Sequence, residues 1–299
     1  MKSWAIALSV IFASVWAATS ALAEQITVTA MGTTSLGVSG MTITEDDINS
    51  STTYAGLYSW KVTSPGDTGT TFPISAYPIG SSFNAFCIQM GQNFTGGSTF
   101  AFDVSSINNA NPQGGNDAGF IDSTAAGQIQ LLTDQYFGLI IPSGFEAITG
   151  APAPHTTGPD AGKYSAASIA AAFQLSLWEI EYDGGLGKNT AATNGPEGYP
   201  SSNYFSTGNF KASGGGNSGT DAINLATYFL DNFTVGTLGV DTAYSSKALT
   251  QGSKQDQFWG IPGAVPHTPT VPLPAALPAG LTLLVGLGAF RKIRAKMRG

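Results

Sequence analysis

The chain has 299 residues, 42% hydrophobic and only 10% charged, with one cysteine, which excludes an intrachain disulfide. Between residues 24 and 265 lie all nineteen acidic residues, six lysines and no arginine. That balance offers no basic footprint for phosphates, so it excludes nucleic acid and anionic lipid headgroups as partners of this region.

The N-terminus reads as an export signal. Lys2 gives a positive start, Trp4 to Ala18 is apolar, and Ala21-Leu22-Ala23 places small residues where a signal peptidase reads. Cleavage after Ala23 would start the mature chain at Glu24. Strands are predicted over residues 25–31, 54–62, 83–90, 94–104 and 233–240, from alternation, β-branched and aromatic residues and flanking Gly or Pro. Thr44-Glu45-Asp46-Asp47 reads as a capped helix start rather than a calcium loop.

Helices are predicted over residues 124–137, 165–182 and 221–229. The second is the clearest, with Ile169, Phe173, Leu177 and Ile180 at helical spacing and Gly184-Gly185 as its stop. Residues 189–219 read as a long loop, and Gly214-Gly215-Gly216 as flexible loop without phosphate-loop context. The mixture predicts an α+β fold, a β-sandwich-like domain with a helical insertion. An N-terminal signal helix and a C-terminal hydrophobic helix flank it.

The C-terminus has three parts. Pro266, Pro269, Pro272, Pro274 and Pro278 make an extended spacer. Residues 275–290 are apolar, and Arg291, Lys292, Arg294, Lys296 and Arg298 follow as a stop. Sixteen helical residues rise about 24 Å, enough to cross a bilayer with local thinning, and the basic cluster stays cytoplasmic. The expected organisation is signal peptide 1–23, exported domain 24–265, spacer 266–274, hydrophobic helix 275–290 and basic tail 291–299.

Val271-Pro272-Leu273-Pro274-Ala275, the apolar segment and the basic end resemble the PEP-CTERM sorting signal in its VPLPA form. The resemblance covers about the last thirty residues. It implies a Gram-negative cell, signal peptidase and exosortase as processing partners, and transient residence in the inner membrane. Delivery to the cell surface or extracellular matrix would follow. Leu273 stands where the commoner form has Glu. A simple permanent anchor is the alternative; it explains the basic cluster but not the motif.

Within the domain, two side chains carry chemistry. Cys87 lies in the apolar strand Phe86-Cys87-Ile88. Gln174 lies on the second helix, with Leu177 and Trp178 beside it on the same face and Ala170 and Ala171 one turn earlier. A buried glutamine must hydrogen-bond or react, and a thiolate held against its carboxamide can expel ammonia and form an internal thioester. Gln89 and Gln92 are poorer partners, because they run alongside the cysteine's own segment.

A Phe-Cys-Ile strand followed by an apolar Gln-x-x-x-Trp helix resembles the thioester domain of bacterial surface adhesins, where the helix reads Thr-Gln-x-Ala-x-Trp. Tyr54-Ala55-Gly56 fits the same layout. Phe173 and Ser176 depart from that pattern. The resemblance implies a thioester between Cys87 and Gln174, pocketed by Phe86, Leu177 and Trp178, that captures a surface amine or hydroxyl without turning over. No catalytic set, metal or cofactor is expected. The alternatives are a non-covalent matrix or biofilm protein with a buried inert cysteine, a thiol protease pairing Cys87 with His155 or His267, and a sugar platform on Trp60, Trp178 and Trp259.

Overall fold

The computed structural model describes residues 24–45, 48–65, 78–88, 95–110, 121–140, 144–183, 204–206, 208–232, 244–251 and 256–262. Its strands are β1 (Glu24–Glu45), β2 (Ile48–Pro65), β3 (Ser82–Cys87), β4 (Thr99–Ser106), β5 (Phe145–Glu146), β6 (Tyr164–Ser165), β7 (Phe210–Gly214), β8 (Tyr244–Thr250) and β9 (Gln257–Pro262). Its helices are α1 (Ser123–Tyr136), α2 (Ala166–Tyr182) and α3 (Gly216–Asn232). The fold is mixed α+β and mostly sheet.

The strands run antiparallel in the order β2-β3-β9-β8-β4-β1, and β1 pairs back onto β2 to close a barrel-like ring. This corrects the expected sandwich. The 22-residue β1 pairs with β4 through residues 24–29, with β2 along most of its length and with β7 through residues 41–45. Five register shifts along the β1–β2 ladder bend the pair. Bulged strands curl, and a sheet that curls far enough closes on itself instead of stacking as two layers.

Period-two alternation fills the ring. Ile26, Val28, Trp60, Val62, Phe100 and Phe102 point inward and are buried. Trp60 meets Phe100 and Phe102 edge-on, and Phe83 stacks on Trp259 at 4.4 Å. With Trp60, Trp178 and Trp259 each at most 2% exposed, none of the three offers a sugar platform.

A second core joins the sheet to the helices. Helix α2 is buried at sixteen of its seventeen positions, because it packs on β1 and β2 as well as on α1 and α3. The helix is therefore buried on every face, and Ser168, Gln174, Ser176, Glu179 and Glu181 are buried along with its apolar stripe. Its start is capped by the Ser165 hydroxyl, which accepts from the Ser168 amide, and α1 is capped by the Asp122 carboxylate, which accepts from Thr124 and Ala125.

Other expectations change. Glu45 ends β1 and pairs with Ile48, so Thr44-Glu45 is strand and not a helix start. The predicted loop contains β7 and the first turn of α3. Gly214, Gly215 and Gly216 all have positive φ (84°, 76° and 63°) and form a tight β7–α3 turn rather than a flexible run. Strands β8 and β9 were not foreseen, and the strand predicted at 233–240 lies outside the described residues. Among the described residues no helix is long and apolar enough to cross a membrane. The signal peptide up to Ala23, the sorting motif Val271, Pro272, Leu273, Pro274 and Ala275, and the stop residues Arg291, Lys292, Arg294, Lys296 and Arg298 lie outside them too.

Candidate functional site

β3 is buried at its last three residues, Ala85, Phe86 and Cys87. The ring core covers one face there and the helices cover the other. The β2–β3 ladder stops at Leu57↔Phe86, one residue before Cys87. The side chain of Gln174 takes over where β2 leaves off. Its Oε1 accepts from the Cys87 backbone N–H at 3.0 Å, and its Nε2 donates to the Cys87 carbonyl at 2.7 Å. One turn later Trp178 Nε1 donates to the Ile88 carbonyl at 3.1 Å. Three hydrogen bonds thus fix α2 against the end of β3, 87 to 90 residues away in sequence.

Sequence reasoning paired Cys87 with Gln174, and the structure brings them together with both side chains essentially excluded from solvent. Phe86 packs against Phe173 at 4.9 Å between ring centroids and meets Phe137 and Phe258 at 6.3 Å. Phe173, one of the departures from the adhesin pattern, is therefore part of the aromatic wall. Leu177 and Trp178 are buried in the same core. Ser176, the other departure, bonds back to the Ala172 carbonyl within its helix.

Two neighbours of the sulfur were missed. Gln257 on β9 sits directly across from Cys87, fully buried, with Nε2 3.8 Å from Sγ. Tyr58 on β2 stands beside the Cys87 side chain and lowers the thiol's pKa, while its hydroxyl also donates to the Tyr54 carbonyl at 3.5 Å. The only local signal for Gln257 is a polar residue opening the aromatic run Phe258-Trp259. Its partnership with a strand 170 residues earlier has no sequence mark. Gln89 and Gln92 lie outside the described residues.

The thiol's environment pulls two ways. Burial pushes its pKa up to about 12, the hydrogen bonds from Gln257 and Tyr58 oppose this, and nearby Glu181 adds to it. Tyr58 is raised by burial and then by Cys87. Glu181, also on α2, is raised well above the carboxylate range by burial and by Asp256, and neither of its oxygens has a hydrogen-bond partner among the described residues. Glu179 is raised to about 10 by burial and by Asp183.

His155 engages a different residue. Its backbone N–H and its Nδ1 both meet the buried Asp221 carboxylate on α3, Nδ1 at 2.6 Å. His267 lies outside the described residues. Among the described residues no group of three or more His, Cys, Asp and Glu could hold a metal ion.

The arrangement has a chemical meaning. A backbone N–H on the Gln174 oxygen draws electrons from the amide carbon and would hold the oxyanion of a tetrahedral intermediate. The Cys87 carbonyl holds the nitrogen that would leave. The nucleophile belongs to the same residue as both contacts, so its approach is intramolecular in character. No protein-family model, no curated protein and no solved structure matches the chain.

Proposed function

We propose that this is an exosortase-sorted surface protein whose Cys87 and Gln174 close an internal thioester that captures amines or hydroxyls on a neighbouring surface. The observation that supports the reading is the paired hydrogen bond between the Gln174 carboxamide and the Cys87 backbone in a fully buried core. A buried acyl group there would be shielded from water until a nucleophile reaches it. The reaction consumes the site once, so the protein is an adhesin rather than an enzyme.

Intact mass tests it. The mature protein should weigh one ammonia less than its sequence. Methylamine should add its own mass and expose an alkylatable thiol. Cys87→Ala and Gln174→Ala should each remove the mass deficit and every adduct. Full mass with a free thiol in the native protein would end the covalent reading.

A second reading has an observation of its own. The same two bonds satisfy Gln174 as a strand-capping core amide, and burial disfavours the thiolate. On that reading the chain is a non-covalent matrix or biofilm protein with an inert cysteine.

Export and sorting rest on the two ends. The exported protein should begin at Glu24 on N-terminal sequencing; a retained Met1 would contradict the signal. Replacing Pro272 and Pro274 together should leave a larger, membrane-bound form. Deleting residues 271–299 should free the protein from the surface. Unchanged size and location in both variants would remove the sorting proposal.

A further inference from the structure

We propose that Tyr58 and Gln257 form a two-donor cradle for the Cys87 sulfur, holding its negative charge both as the thioester closes and as a nucleophile opens it. This rests on the thioester reading above.

The topology builds the cradle. β3 lies between β2 and β9. Gln257 pairs with Cys87 itself, and Tyr58 pairs with Ala85. Residues two apart on a strand share a face, and so do paired residues on neighbouring strands. Tyr58, Gln257 and Cys87 therefore stand on one face of the sheet, a donor on each side of the sulfur. Gln257 Nε2 reaches Sγ at 3.8 Å, and the Tyr58 hydroxyl stands close enough to lower the thiol's pKa, with the Tyr54 carbonyl at 3.5 Å as its other acceptor. Gln174 arrives along the backbone edge instead. The acyl group and the sulfur thus have separate sets of donors.

The chemistry uses both sets. In closure the S–C bond forms and the Gln174 C–N bond breaks; the thiol proton passes to the nitrogen, and ammonia leaves. In opening an amine attacks the acyl carbon and a C–N bond forms. The C–S bond then breaks with its electron pair on sulfur, and the amine's proton ends on the thiol. In both directions sulfur passes through anionic character inside a buried core. Donors already held beside it stabilise that charge with little reorganisation. The opposing effect of these two hydrogen bonds on the buried thiol agrees with this role.

The test uses the mature protein carrying Tyr58→Phe or Gln257→Met, each of which removes the donor and keeps most of the volume. Ammonia loss during refolding and methylamine addition to the closed form are followed by intact mass. Each variant should slow both rates about tenfold, less than the ~10² of a lost oxyanion donor, because sulfur is a weak acceptor.

A merely structural role would lower the melting temperature and leave both rates in place. Unchanged rates in folded Tyr58→Phe would overturn the cradle while the thioester stands. Wild-type protein of full mass would overturn the thioester and the cradle with it. Ammonia loss that survives Gln174→Ala but not Gln257→Met would make Gln257 the acyl donor and also overturn the proposal. Should Gln257→Met fail to fold, Tyr58→Phe decides, since Tyr58 is only half-buried and loses one hydroxyl.

Discussion

Trp178→Ala should destabilise the domain by about 3–5 kcal/mol, the range for emptying a buried aromatic site. The indole is 2% exposed, lies 6.0 Å from the Phe210 ring between centroids, and donates to the Ile88 carbonyl. Alanine leaves a cavity between α2 and β7 and orphans a buried carbonyl. Trp178→Phe keeps most of the volume and loses only the donor, so it should cost about 1–3 kcal/mol. Urea unfolding at constant slope measures both. Equal losses in the two variants would mean that the hydrogen bond, and not the volume, carries the effect. The anchor also sets the register of Gln174 on Cys87, so Trp178→Ala should slow any ammonia loss in the molecules that still fold.

The domain should be more stable at pH 5 than at pH 8, and Glu179→Gln and Glu181→Gln should each flatten that slope. Both carboxyls are raised in the folded chain, Glu179 to about 10 and Glu181 well above the carboxylate range, against about 4.3 when unfolded. A raised pKa means that the folded state keeps a proton which the unfolded state releases. Each acid's contribution is complete below about pH 4.3 and is lost as pH rises toward the folded value. The slope is at most about 1.4 kcal/mol per pH unit for each acid. Asp183 faces Glu179, while Asp256 and Cys87 face Glu181; no lysine is among the groups that shift either acid. Glutamine copies the neutral form, so both variants should melt higher than wild type at pH 8. Thermal melts across pH 5 to 8 provide the check, and a wild-type slope retained in both variants would refute it.

Local pattern made the helices legible. The apolar spacing of α2 and its Gly184-Gly185 stop were legible, while the caps at Asp122 and Ser165 emerge only in the structure. The pairing of Cys87 with Gln174 was legible for a chemical reason, since a lone thiol and a glutamine among apolar neighbours each require an account. Closure of the ring was not legible. It depends on β1 pairing on both edges and on bulges that no alternation reveals. β8 and β9 escaped because Ser245, Ser246 and Lys247 dilute one and Gly260 and Pro262 punctuate the other. Missing β9 meant missing Gln257. The buried acids of α2 escaped because Glu179 and Glu181 look like the polar face of a surface helix, and only all-round burial makes them unusual.

The ring sets an order of events. Cys87 reaches Gln174 across 87 residues and Gln257 across 170. Contacts so distant along the chain form late, after shorter loops have closed. A chain that emerges with its N-terminus first carries Cys87 as a plain thiol until α2 is made, and lacks the last neighbour of that thiol until β9 docks between β3 and β8. The sulfur's surroundings are completed by almost the final strand to arrive, so a truncated or stalled chain is left with the nucleophile and without the setting that would govern it.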